Sequence, residues 1–263
     1  MRLRATVPLA VALAVAAAPA RAAEPAPQQT SAAPPVPFAP GEQIDLAVDY
    51  GQIRTGQVRM TVGRPEGAVW PVICQAKTDG IASVLDIREH YVSYWDAESR
   101  LSRGSDLNAI EVGDRHTDRS RFDRANGKAT VEVIRKGRSH ESTHDIPPDA
   151  HDLASALLRL RMESLAPGTH LEFPVFSGKK TFTLRADVEA REEIDTPAGR
   201  FRAVRVRVEL GFEDKFKTTR PAYLWVSDDE RRIPLRGVAD FAVGRITASL
   251  TGYRPGSQLA TAR

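Results

Sequence analysis

The chain reads as mainly β and antiparallel, with a curved sheet wrapped over a single helix. Two periodicities and a recurring turn chemistry predict this. Apolar and polar residues alternate through Ile44, Leu46, Val48 and Tyr50, through Val58, Met60 and Val62, and through Val204, Val206, Val208 and Leu210. That is the two-residue period of strands with one dry face. Asn126-Gly127 and Thr196-Pro197-Ala198-Gly199 stand between such runs and supply hairpin turns. Only Asp152–Leu165 is a long stretch whose apolar residues recur at steps of three and four.

Residues 1–22 carry Arg2 and Arg4, an Ala/Val/Leu run and the small-residue signal Ala20-Arg21-Ala22, which together predict an export signal peptide. The apolar run falls short of the roughly 20 residues a membrane span needs. Residues 23–37 are Pro, Ala, Gln and Ser, the composition of a flexible linker. A single β domain is expected over 38–254, with a disordered tail over 255–263.

Within the domain, Gly51 and Gly56 punctuate an opening hairpin. Strand-like residues continue from Val69 to Arg103, bent at Asp79–Ser83. Leu107, Ile110 and Val112 predict a strand, and Arg119–Asp123 another with Phe122 inward. The turn at Asn126-Gly127 leads into Ala129, Val131 and Val133. After the helix, Phe182, Leu184, Ala186 and Val188 alternate up to the Pro197 turn. Two registers fit this hairpin: one pairs Thr196 with Arg200, and a two-residue slip sets Asp187 opposite Arg207 and Glu189 opposite Arg205. The last strands run through Tyr223, Trp225, Ile233, Leu235, Phe241, Ile246, Ala248 and Leu250.

The helix is expected over 152–165, with Pro147-Pro148-Asp149 giving an extended entry and a cap, and Pro167-Gly168 the stop. Leu153, Ala154, Leu157, Leu158, Leu160, Arg161 and Leu165 form its apolar arc, and Asp152, Ser155, Arg159 and Glu163 its wet edge. So wide an apolar arc needs a large partner surface, and the remaining chain offers only strands.

Charge and cysteine content exclude several classes. Cleavage after residue 22 would remove Arg2, Arg4 and Arg21 and no acid, so 37 basic residues become 34 against 34 acidic ones and the net charge falls from +3 to 0. A nucleic-acid partner is therefore not expected. Arg115–Arg124 mixes arginines with aspartates and reads as a solvated strand face. The lone Cys74 permits no intramolecular disulfide, shares strand parity with Trp70 and Val72, and reads as a buried, inert thiol.

One motif resembles an enzyme site. His140-Glu141-Ser142-Thr143-His144 spells the H-E-x-x-H pattern of zinc hydrolases. That pattern works on a helix, where residues four apart converge on one metal. Gly137 before it, Pro147-Pro148 after it and the Ser and Thr within it predict a strand instead, on which the two His would stand about 13 Å apart. Asp228-Asp229-Glu230 reads as a solvated turn beside Arg231-Arg232 rather than a calcium site. Dinucleotide, P-loop and hydrolase-elbow signatures are absent.

Phe38-Ala39-Pro40-Gly41-Glu42, Tyr50-Gly51, Thr55-Gly56, Asp152-Leu153-Ala154-Ser155 with Leu160-Arg161, Thr196–Phe201, and Leu224–Asp229 with Ile233-Pro234 follow one another in a set order. In this the chain resembles the exported bacterial family catalogued as domain of unknown function 3108, over roughly 38–253. The resemblance implies a Gram-negative periplasmic protein built as a strongly curved, open barrel around a central helix, similar in outline to periplasmic lipoprotein carriers. It implies no activity. The expected function is non-catalytic binding of a lipid or other hydrophobic envelope component, with Leu153, Leu157, Leu160, Met60 and Trp225 as candidate cavity residues. No catalytic residue, metal, cofactor or transmembrane segment is expected, and no oligomeric state is set. The alternatives are an envelope scaffold or assembly factor with a fully packed core, and a zinc hydrolase using His140, Glu141 and His144.

Overall fold

The computed structural model describes residues 35–209, 221–241 and 244–257. The expected signal peptide, most of the linker, Leu210 and the last six residues of the tail lie outside them. Strands β1 (Gln43–Tyr50), β2 (Ile53–Val62), β3 (Val69–Thr78), β4 (Arg88–Asp96), β5 (Ser102–Glu111), β6 (Asp114–Asp123), β7 (Lys128–Arg135) and β8 (Arg138–Asp145) precede the helix α1 (Leu153–Met162). Strands β9 (His170–Phe176), β10 (Thr181–Thr196), β11 (Gly199–Glu209), β12 (Ala222–Ser227), β13 (Pro234–Phe241) and β14 (Gly244–Arg254) follow it.

All fourteen lie in one curved, unclosed antiparallel sheet. The first eight strands lie in reverse chain order, and β1 then pairs with β14, from which the order runs back through β13 to β9. The edges are therefore β8 and β9, the strands that flank α1 in sequence. β9 was not foreseen, because Pro174 interrupts His170–Phe176 and its alternation is short. The Asp79–Ser83 bend becomes a 3-10 turn at Gly80–Leu85.

Alternation holds with local exceptions. The β1–β14 pairing skips Thr251 of β14 between its partners Asp45 and Leu46, Ile44 and Leu46 both pack in the core as expected, and Tyr50, expected inward, is exposed. At the β10–β11 hairpin the turn pairs Thr196 with Gly199, and a bulge between Val188 and Ala190 restores the slipped register, Asp187 opposite Arg207. Glu189 is the bulged residue and still reaches Arg205 at 2.8 Å.

α1 contributes to two apolar clusters. Ala154 and Leu158 pack with Ile44, Val62, Val72 and Trp95, whereas Ala156 and Leu160 pack with Val175, Val188, Val206 and Val226. The helix is shorter than expected. It ends at Met162 because Glu163 turns extended and Arg232 takes the terminal carbonyls of Arg161 and Glu163.

Candidate functional site

The start of α1 is fixed by a buried polar knot. Asp152, not Asp149, is the N-cap: one carboxylate oxygen accepts from the Ala154 and Ser155 amides, both at 2.9 Å, and Ser155 Oγ accepts from the Asp152 amide. The other oxygen accepts from the hydroxyls of Ser93, at 2.6 Å, and Ser102. Asp152 and Ser155, expected on the wet edge, are thus both buried. Burial nevertheless raises the Asp152 pKa, even against these donors. Arg124 closes the knot by donating to the carbonyls of Pro148, Ala150 and Ser102. Beside it, His151 is 2 % exposed, and burial, with Arg159 and Arg124 adding to it, holds its imidazole down at about 4.

The end of α1 is fixed by an ion pair. Arg161, with 0 % of its surface exposed, grips Glu42 through two bonds of 2.8 Å. Its remaining N–H groups donate to the carbonyls of Arg232, Arg231 and Pro37, and its guanidinium lies over the Phe38 ring. The Tyr253 hydroxyl adds a bond to Glu42. Phe38, Glu42, Arg161 and the chain before Ile233 thus meet at one point, so several of the segments that carry the family resemblance are structural anchors.

Between these anchors the exposed part of the helix borders two hollows. The first, of about 460 Å³, is lined by Leu153, Leu157 and Leu160 against Phe182, Leu184 and Leu224. Its other walls are also almost wholly apolar. The second, of about 360 Å³, lies on the β2–β6 side and shares Leu153 and Leu157 with the first. Met60, Leu107 and Phe176 make its apolar part, and Glu89, Asp118 and Ser105 belong to its polar part. Cys74, expected to be buried, is half-buried on its wall, and burial pushes its thiol up to about 12, which keeps it protonated.

Of the five candidate cavity residues, Leu153, Leu157 and Leu160 line the first hollow and Met60 the second. Leu153 packs in neither cluster and is 43 % exposed, so it serves as a rim rather than as core. Trp225 lines neither hollow: it alternates with Leu224 along β12, and its indole N–H donates to Glu192 at 2.6 Å. The polar residues of the second hollow were not foreseen. Their signal was the polar inward parity of β4–β6, visible only once Tyr91, Leu107 and Asp118 are known to face one another across strands.

A larger concavity of about 720 Å³ lies over two cross-strand rows, Gln57–Lys77–Arg88–Ile110–Arg115 and Arg59–Gln75–His90–Asn108–Thr117. These residues alternate with Met60, Cys74, Tyr91 and Leu107. Most of them are exposed, and Arg59 and Arg88 already pair with Asp45 and Asp86. The mixed-charge strand reads likewise, with Arg119 on Glu132 and Arg121 on Asp106.

The H-E-x-x-H residues lie on β8, a strand as expected, so adjacent His140 and Glu141 point to opposite faces. His144 bonds Ser142 and stands against the Phe176 ring. Among the described residues no group of three His, Cys, Asp or Glu is placed to hold a metal ion. Asp228 and Asp229 are engaged by Arg191, Arg202 and Arg231.

The model of the family described as protein of unknown function (DUF3108) matches residues 45–251. The chain belongs to that family. No curated protein matches it. Among solved structures it is similar to a β-barrel-like protein of domain of unknown function DUF1849 from Brucella abortus, at 10 % identity and a TM-score of 0.56. That match covers 85 % of this chain and 100 % of the other. A hypothetical protein of Chlamydia trachomatis is matched at 8 % identity and a TM-score of 0.38, over 85 % of this chain and 91 % of that one. The Brucella likeness speaks to the fold alone. Among the described residues no helix of this family member is long and apolar enough to cross a membrane.

Proposed function

We propose that this DUF3108 protein is an exported, non-catalytic periplasmic carrier whose curved sheet and α1 hold the apolar part of a lipid or similar envelope molecule. The observation that carries this reading is the apolar hollow bordered by Leu153, Leu157 and Leu160. Its volume of about 460 Å³ falls within the roughly 300–1,000 Å³ of small-molecule sites, and a packed scaffold would have no need of such a space. Binding there is driven by apolar burial at about 25 cal/mol per Å², and so responds weakly to salt. The half-exposed Leu153 gives a ligand an edge by which to enter. Native mass spectrometry of protein purified from its own envelope tests the proposal. A co-purifying hydrophobic molecule, lost when Leu160 is changed to Asp in a variant that still folds, is the expected result. Bare polypeptide that also fails to take up an uncharged fluorescent hydrophobic probe would overturn it and leave the scaffold reading.

A further inference from the structure

The hollow on the β2–β6 side has a chemistry of its own. One part of its wall is apolar and continues the Leu153 and Leu157 surface of the larger hollow. The rest is built from inward residues of adjacent strands: Glu89 and Tyr91 on β4, Ser105 on β5, and Asp118 and Ser120 on β6. Register places Tyr91 beside Leu107 and Leu107 beside Asp118, and Ser105 beside Ser120, so these groups form a patch rather than scattered points.

Two properties of the patch select a ligand. The first is an unanswered acceptor: Asp118 Oδ1 is buried with no hydrogen-bond partner. A buried carboxylate oxygen left in that state is unfavourable, so the site favours whatever brings it an N–H or O–H. The second is the sign of the charge. Glu89 and Asp118 are both carboxyl groups, and neither Lys nor Arg lines this hollow among the described residues. Burial, then Glu111 nearby, moves the Glu89 pKa upward, with His116 opposing, so a second negative charge is already disfavoured at this wall. A phosphate or carboxylate head would meet repulsion there and find no cation.

We propose that this hollow seats the head group of an amphiphile whose tail occupies the larger hollow, and that the head is rich in hydrogen-bond donors and carries no negative charge. A sugar or glycerol head supplies such donors as hydroxyls, and a protonated amine supplies them as N–H. The head bonds Asp118 and the serines, and the tail crosses the rim at Leu153. This assignment rests on the carrier reading above and deepens it by naming the ligand class.

Calorimetric titration of the purified protein with dodecyl glucoside, dodecylammonium, dodecanoate and dodecyl phosphate, each below its micellar concentration, tests it. The glucoside or dodecylammonium should bind at least about ten-fold more tightly than dodecanoate and dodecyl phosphate, and the better of the two identifies the donor. Asp118→Ala should erase that preference while leaving dodecanoate binding in place, and Ser105→Ala with Ser120→Ala should reduce it if Asp118→Ala fails to fold. Equal binding of all four compounds, or a preference that survives these substitutions, would overturn the head-group assignment and leave the carrier intact. Failure of all four to bind would overturn both.

Discussion

On one side of α1 the strands β9 to β12 turn Val175, Val188, Val206 and Val226 inward, and the helix answers with Ala156 and Leu160. On the other side β4 to β6 turn Ser93, Tyr91, Ser105, Glu89 and Asp118 inward among Leu107 and Ala109. Both sides use the same alternating backbone. What differs is how each holds the helix and what each leaves open. The dry side supplies non-directional burial, which stabilises without dictating a position along the helix axis. The wet side supplies the Ser93 and Ser102 bonds to Asp152, which act at one position only. The same division sets the two hollows apart: one is apolar throughout, and the other is lined by groups that require partners.

If the anchors place the helix between these two sides, breaking one should cost more than removing any apolar contact. Arg161→Ala leaves Glu42 buried at 1 % exposure with its main cation gone. A destabilisation of about 3–5 kcal/mol is expected in urea unfolding, the cost of breaking a buried pair from one side. A loss below about 1 kcal/mol would mean that packing alone positions the helix.

Adjacent leucines sharpen the comparison next. Leu158 is fully buried in the cluster with Trp95 and Val72, so Leu158→Ala should cost about 2–5 kcal/mol. Leu157 is half-buried and already faces both hollows, so Leu157→Ala should cost about half as much or less and act mainly on ligand binding. Equal losses in the two variants would show that the hollows close around Leu157 in solution.

A pH dependence is expected on the wet side. His151 has a folded pKa of about 4 against an ordinary 6.5, because its buried imidazole resists the proton. The unfolded chain therefore binds that proton first as pH falls. The stability due to neutral His151 is complete above about 6.5, declines as pH drops, and is gone below about 4. The span corresponds to about 3 kcal/mol. Melts of His151→Gln should show a flatter slope across that window, and an unchanged slope would assign the effect to other groups.

Much of the fold was legible because alternation is a local property: Met60 with Val62, and Val204 with Val206, declare a dry face by their own spacing. The helix was legible for the same reason, as was the strand character of His140–His144. The bulges at Thr251 and Glu189 were not, since an extra residue is absorbed only when a particular partner strand is present. Leu153, Leu157 and Leu160 could be placed on one helix face from their spacing, whereas Trp225 could not be placed by hydrophobicity, because its parity on β12 decides its side.

The amino-acid sequence by itself determined the periods, the turns, the position of the helix and the family, because these depend on residues within a few positions of one another. Tertiary structure alone decided that Asp152 would be buried and which acid would meet Arg161 on the apolar arc, because each is acceptable inside only beside partners far away in the chain. Ser93 stands 59 residues before Asp152, and Glu42 stands 119 before Arg161. A charge read along the sequence belongs at the surface, and only the folded chain brings the donor or acceptor that lets it be buried.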